Sequence, residues 1–217
     1  FDNPARRNAL GATELAAIDT ALDALEPATR VLVITSSDDR IFCAGADLSQ
    51  ILDGVISGDR FQSVTNRIAG LPIPTIAVLT GNVFGGGAEL ALSCDFRIGR
   101  AGMILRIPAA AIGLCYPVEG IERLTRRLGP NLCKLLLVAA ETSSSEQLLA
   151  HQLLDSVHSA DEVRAAAQAY AETLLKLAPL SVSTMLDLIR QIEVGTYARA
   201  DAEVRAKHCA DSEDLQE

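Results

Sequence analysis

Three consecutive glycines, Gly85, Gly86 and Gly87, most constrain what this chain can fold into. They follow an apolar run at 74–79 that predicts a buried strand, and they precede a segment at 88–94 that predicts a helix. Glycines at such a turn let another backbone approach closely and leave N–H groups free at the positive end of the helix. The turn therefore suits an anion or a developing oxyanion. A tight turn packed against the sheet is the alternative.

The spacing of these glycines excludes two kinds of nucleotide site. A dinucleotide fingerprint needs G-x-G-x-x-G, and a P-loop needs Gly-Lys-Ser/Thr, whereas Ala88 and Glu89 follow the triplet here.

A second loop of small residues, at 44–47, also follows a predicted strand (31–35) and precedes a predicted helix with Asp47 as its N-cap. Loops at the carboxyl ends of parallel strands converge at one edge of a sheet, where open α/β sheets place their ligands. One N–H from each loop would form an oxyanion hole. Glu89, one turn into the helix after the triplet, is then a candidate general acid/base, or else a partner of the helix dipole.

The order of predicted elements changes along the chain. The first half alternates strands and helices, which indicates parallel strands joined by helical crossovers. The second half predicts helices at 119–128, 131–139, 145–150, 160–177, 179–194 and 197–211, with one more strand at 154–157. We therefore expect an α/β core over 1–140 and a helical part over 141–217 that packs on a neighbouring subunit.

Composition narrows the class of function. The 217 residues are 49% hydrophobic and 22% charged, which is typical of a globular protein, and the net charge of −9 argues against a nucleic-acid partner. No apolar run reaches the roughly 18 residues of a membrane-spanning helix. Five scattered cysteines give no metal-ligand spacing, so we expect no metal site and a reducing, cytoplasmic location.

Four motifs together resemble the crotonase superfamily, also called the enoyl-CoA hydratase/isomerase family. They are NPARRNAL (3–10), FCAGADL (42–48), LPIPTIAV (71–78) and GNVFGGGAELALSCDFR (81–97). The resemblance implies an α/β fold, a crotonase-like spiral of ββα units with a helical C-terminal part. It also implies an acyl-CoA substrate, a homotrimer or hexamer, and no separate cofactor, since coenzyme A is part of the substrate.

The resemblance also implies roles for individual residues. The N–H groups of Ala46 and Gly86 would polarise the thioester carbonyl, and Glu89 would act as acid/base. Coenzyme A would be bound by residues of the first two motifs: Ala5, Arg6, Arg7, Ala44, Ala46, Asp47 and Leu48.

The chain departs from this family at one functional position. Family hydratases use a second glutamate in a Pro-Glu step, and the matching stretch IPAAAIGL (107–114) has Ala109 there. Glu119 and Tyr116 are the nearest candidates for a second acid/base, although Glu119 also suits a solvated helix start. Three hypotheses follow: hydration of a trans-2-enoyl-CoA; another crotonase reaction (isomerisation, decarboxylation or thioester hydrolysis); or a non-catalytic acyl-CoA binder.

Overall fold

A computed structural model of the chain describes residues 1–212. Its strands, in chain order, are β1 (Leu32–Thr35), β2 (Ile41–Cys43), β3 (Thr75–Leu79), β4 (Asn82–Phe84), β5 (Phe96–Arg100), β6 (Ile104–Arg106), β7 (Thr142–Ser144) and β8 (Ser156–His158). They form two four-stranded sheets, one in the order β1-β3-β5-β8 and the other in the order β2-β4-β6-β7.

From β1 to β6, successive strands alternate between the two sheets. β1, β3 and β5 enter the first sheet, while the strand that follows each of them enters the second. All pairs in the first sheet are parallel, and in the second only β6 and β7 run antiparallel. Each repeat thus contributes one strand to each sheet, and the predicted spiral of ββα units is confirmed.

The α-helices within residues 1–212 are α1 (Ala12–Asp23), α2 (Leu48–Leu52), α3 (Gly58–Ala69), α4 (Gly86–Ser93), α5 (Val118–Cys133), α6 (Ser145–Ala150), α7 (Val163–Leu175), α8 (Pro179–Val194) and α9 (Arg199–Ala210). Short 3-10 turns cover Pro4–Arg6 and Ala110–Ile112, and a π-helical turn covers Lys134–Val138. The predicted ends of α6 and α8 are confirmed. α5 continues past the predicted end at 128 but is kinked at Gly129, which has a φ of +75°.

β2 and β4 lie directly before the two loops of small residues, and neither was predicted as a strand. Both strands have only three residues, too few for a period-two pattern to be visible. β6 and β7 are equally short and were not predicted. Without these four strands the second sheet was not visible in the sequence.

The sheets continue past residue 140, because β7 and β8 each join one of them. The purely helical part of the described chain therefore begins at Val163 rather than at 141. Residues 213–217 of the predicted C-terminal part lie outside the described residues. Within 1–212 the structure has no helix that is long and apolar enough to cross a membrane.

Burial is most complete along α4, the helix that starts at the glycine triplet. Every residue from Gly87 to Ser93 is buried, and all of them except Glu89 and Ser93 are apolar. A helix with no polar face to present to water lies inside the protein. Its N-terminus and Glu89 are thereby fixed by the core.

Candidate active site

The two small-residue loops meet backbone to backbone. Gly45 has a φ of +91°, and a Cβ on it would lie 2.8 Å from the carbonyl oxygen of Phe84 and 3.0 Å from the nitrogen of Gly86. A Cβ on Gly86 would lie 3.4 Å from the nitrogen of Ala46. Glycine is therefore required at position 45, both for its backbone angle and for this approach. The predicted convergence of the loops is confirmed.

The N–H groups of Ala46 and Gly86 are left free at this junction. The N–H of Ala44 donates to the Arg7 carbonyl and that of Asp47 to the Leu10 carbonyl, both at 3.0 Å. Ala46, between them, has no acceptor among residues 1–212. Gly86 is the first residue of α4, and the N–H groups of a first helical turn have no partner within the helix. Two neighbouring backbone donors can together hold one oxyanion.

A cavity of about 710 Å³, counted out to its open mouth, lies over these two donors. Its wall is mainly apolar, with Glu89, Tyr116 and Ser57 as the polar side chains. The lining residues are Ala44, Gly45, Ala46, Leu48, Ile51, Ile56, Ser57, Gly58, Phe61, Gly85, Gly86, Glu89, Pro108, Ala109, Ile112, Leu114, Tyr116 and Pro117. A mainly apolar cleft with a few convergent polar groups is typical of a small-molecule site.

Glu89 is fully buried in this wall and is held through one of its two oxygens. Oε1 accepts a hydrogen bond from Nη1 of Arg123 at 2.8 Å, while Oε2 has no partner. Arg123 also donates to the Thr65 hydroxyl at 2.9 Å and to the Asn66 side-chain carbonyl. Burial raises the pKa of Glu89, against the lowering effects of Tyr116 and Arg123. A raised pKa brings the carboxyl closer to neutral pH, where it can exchange protons.

The structure separates the two candidates for a second acid/base. Tyr116 lines the cavity beside Glu89, and its hydroxyl is buried without a hydrogen-bond partner. Glu119 is exposed and outside the cavity wall, where its Oε2 accepts a hydrogen bond from Asn66 at 2.9 Å. Ala109 does line the cavity and is only 6% exposed. No second carboxylate lines the cavity within the described chain.

The residues expected to bind coenzyme A are brought together beside the mouth. The segment containing Ala5, Arg6 and Arg7 lies along the loop of Ala44 and Asp47, joined to it by the backbone hydrogen bonds described above. Arg6 forms an ion pair with Asp47 and remains half exposed. Asp47 also caps α2, accepting from the N–H groups of Ser49 and Gln50, which confirms it as the N-cap. Leu48 lines the cavity.

Sequence reasoning missed Arg123, the residue that holds Glu89. It lies in a stretch of α5 with alternating charge (ERLTRR, 122–127), a pattern typical of a solvated helix face. Its burial comes from the packing of α5 next to α4 and α3, which no local pattern reveals. The buried amide of Gln62, on α3, also lies close enough to Glu89 to lower its pKa, and it was missed for the same reason.

Comparison with known proteins decides the family. A profile of the Enoyl-CoA hydratase/isomerase family matches residues 1–214. The chain belongs to the enoyl-CoA hydratase/isomerase family. This family member is similar to enoyl-CoA hydratase domain-containing protein 2, mitochondrial, of Bos taurus, at 34% identity over 89% of this chain and 70% of that protein.

Two further proteins are similar to this family member over most of its length. It is 31% identical to the crotonyl-CoA hydratase of Syntrophomonas wolfei over 84% of this chain and 73% of that protein. The crystal structure of an enoyl-CoA hydratase from Polaromonas sp. JS666 superposes with a TM-score of 0.84 and 28% identity, covering 95% of this chain and 83% of the other. The likeness thus extends over most of the α/β fold described above.

Proposed function

We propose that this chain hydrates a trans-2-enoyl-CoA, with Ala46 and Gly86 as the oxyanion hole and Glu89 as the general base. The single observation that carries the proposal is the junction of two loops, where two free backbone N–H groups lie in the same cavity wall as a buried carboxylate. The relatives named as hydratases support the same reaction class.

The proposed mechanism uses this geometry directly. Glu89 takes a proton from water as the water oxygen bonds to C3 of the enoyl group. The electron pair of the double bond moves to the thioester, and negative charge develops on the carbonyl oxygen between the two N–H groups. Preorganised donors of this kind are worth about 3–4 kcal/mol each in the transition state. Delivery of one proton to C2, in exchange for the one that Glu89 has taken, then completes the net addition of one water.

Coenzyme A is proposed to lie along the joined segments at the mouth, against Ala5, Ala44, Ala46, Asp47 and Leu48. Arg6 and Arg7 would contact its phosphates, because a guanidinium group pairs well with phosphate oxygens. Arg7 is exposed and Arg6 half exposed, which leaves both accessible to a ligand. The proposal needs no cofactor beyond the coenzyme A of the substrate.

A homotrimer or hexamer is proposed for the assembly. The support is a row of exposed apolar side chains on α8, with Met185, Ile189 and Ile192 each more than half exposed. Light scattering after size exclusion tests this state directly. The cytoplasmic location stays a prediction.

The proposed function is tested with crotonyl-CoA, whose conjugated double bond absorbs in the ultraviolet. Wild type should remove this absorbance and produce 3-hydroxybutyryl-CoA, identified by the mass of one added water. Glu89→Gln should lower kcat by about 10²–10⁴-fold, the usual contribution of a general acid/base. Glutamine keeps the shape and can still accept from Arg123. Undiminished turnover by Glu89→Gln would refute the role of Glu89.

A different crotonase reaction is the second candidate, and the apolar surroundings of Ala109 favour it. Isomerisation, decarboxylation and thioester hydrolysis need the same oxyanion hole with another placement of acid and base. A mass-spectrometric panel of acyl-CoA thioesters separates them from hydration. A product with a shifted double bond, lost carbon dioxide or free coenzyme A would identify the reaction. Binding without turnover across the panel would instead identify a non-catalytic binder.

A further inference from the structure

A hydration needs two proton transfers, and Glu89 is the single carboxylate that lines the cavity in the described part of the chain. Water must lose a proton while C2 must gain one, and family hydratases divide this work between two carboxylates. Position 109 offers only a methyl group, and its neighbours in the cavity wall, Pro108, Ile112 and Leu114, carry no polar side-chain atom. Besides Glu89, the single titratable side chain that lines the cavity in the described chain is Tyr116.

The polar atoms around Glu89 have unfilled hydrogen-bonding capacity. The Tyr116 hydroxyl and Glu89 Oε2 are both buried, and neither makes a well-directed hydrogen bond, although the two side chains lie close enough for each to shift the pKa of the other. A buried polar atom without a partner costs about 1–3 kcal/mol. Such atoms are rare in native proteins, and a catalytic role is one physical reason for a protein to keep them. The two side chains are neighbours in one cavity wall, so a proton can pass between them directly.

The side chains of Tyr116 and Glu89 both pack against Gly120. A Cβ on this residue would lie 2.6 Å from Cε1 of Tyr116 and 2.8 Å from Oε2 of Glu89. The aromatic ring and the carboxylate oxygen therefore rest against the same backbone carbon. Any side chain at position 120 would displace one or both. The arrangement thus brings a phenol and a carboxylate to one patch of wall.

We propose that Tyr116 supplies the proton to C2 while Glu89 removes the proton from water. This inference rests on the proposed hydration. The oxygen of water bonds to C3 and its proton goes to Glu89. The Tyr116 O–H bond then breaks as the C2–H bond forms, which leaves a phenolate. The proton on Glu89 passes to the phenolate, and both side chains return to their starting states with one water added.

The environment of Tyr116 suits a proton donor. Burial, and then the charge of Glu89, hold the pKa of Tyr116 well above its usual range, while Arg123 opposes them. The phenol therefore stays protonated between turnovers. A phenol is nevertheless far more acidic than the C–H bond formed at C2, so the transfer to the enolate carbon is downhill. The resulting phenolate lies beside the protonated Glu89, which restores it.

The test is Tyr116→Phe, which keeps the ring that packs on Gly120 and removes only the hydroxyl. We expect kcat on crotonyl-CoA to fall by about 10²–10⁴-fold, as for the loss of a general acid. KM and the melting temperature should stay close to wild type. Tyr170→Phe is the matched control, because Tyr170 packs edge-on against Phe96 at a centroid distance of 5.1 Å and does not line the cavity. It should retain full turnover.

A rescue experiment separates a missing proton donor from a disturbed fold. The double variant Tyr116→Phe/Ala109→Glu should have a kcat at least tenfold higher than Tyr116→Phe alone. The new carboxyl would enter the cavity at the position where family hydratases place theirs. Full activity of Tyr116→Phe, or a loss confined to KM, would overturn the role of Tyr116 and leave the hydration intact. No hydration by wild type would overturn both proposals.

Discussion

The floor and the rim of the cavity are built in different ways. We define the floor as Gly45, Ala46, Gly85, Gly86 and Glu89, and the rim as Leu48, Ile112 and Leu114. The floor is held by backbone contacts and by the buried ion pair of Glu89. The rim consists of side chains that are 40–53% exposed.

This difference separates two tasks. The floor has few degrees of freedom, and preorganised geometry is what stabilises a transition state. The rim side chains are partly exposed and make few contacts that fix them, so we expect them to adapt to acyl groups of different length. We therefore expect floor variants to lower kcat or stability, and rim variants to change KM.

The largest effect should come from removing the cation of the floor, Arg123→Met. Glu89 would then be buried without its counter-charge, which costs about 3–5 kcal/mol of unfolding free energy for a broken buried pair. Urea unfolding measures this loss. Arg126→Met is the matched control on the same helix. Arg126 forms a solvent-exposed ion pair with Glu122 at 3.7 Å, so its loss should lower the free energy of unfolding by about 0–1 kcal/mol. Equal losses in the two variants would contradict a supporting role for the buried pair.

Arg123→Met should also shift the pH dependence of kcat/KM. Arg123 lowers the pKa of Glu89 against the raising effect of burial, so its removal lets that pKa rise further. Glu89 must be ionised to act as base, and activity is lost as the pH falls through its pKa. The acidic limb of kcat/KM should therefore shift to higher pH in Arg123→Met, while Arg126→Met leaves it in place. A shift to lower pH would contradict this assignment.

Gly45→Ala should push the two loops apart and lower kcat, with a smaller overall effect than Arg123→Met. The new methyl group would lie 3.0 Å from the Gly86 nitrogen and displace one donor of the oxyanion hole. Losing one such donor lowers kcat by about 10²–10³-fold. Gly54→Ala is the control, since Gly54 also has a positive φ (+69°) but no atom within 4 Å of its Cβ position. It should reproduce the backbone strain and leave kcat unchanged.

How far the sequence predicted this structure depended on the length of each pattern. The loops around Ala46 and Gly86, and Asp47 as an N-cap, were predictable because each depends on a few adjacent residues of distinctive chemistry. β2, β4, β6 and β7 were not, because three residues do not establish a period. The second sheet depends entirely on pairing between repeats that are distant in the chain.

The candidate site was predictable only where local signals exist. Glu89 was found because it follows the glycine triplet, and its place in the cavity wall agrees with the prediction. Arg123 was not found, since its burial depends on how α5 packs next to α4. Both Glu119 and Tyr116 were candidates for a second acid/base, and the structure places Tyr116 in the cavity wall and Glu119 on an exposed face of α5. Tertiary packing thus determines which polar residues enter the cavity.

The smallest effect is expected at the rim, with Leu114→Ser and Ile112→Ser. Each side chain is about half exposed, so replacing it forfeits about 1 kcal/mol of apolar contact with a bound acyl chain, or about fivefold in KM. The loss should be larger for trans-2-octenoyl-CoA than for crotonyl-CoA, because a longer chain covers more of the apolar wall. Steady-state kinetics with both thioesters measures it. Leu52→Ser, at a residue 86% exposed and outside the cavity wall, should leave both KM values unchanged. A fall in kcat at constant KM would show instead that the rim takes part in the chemistry, and the division between floor and rim would fail.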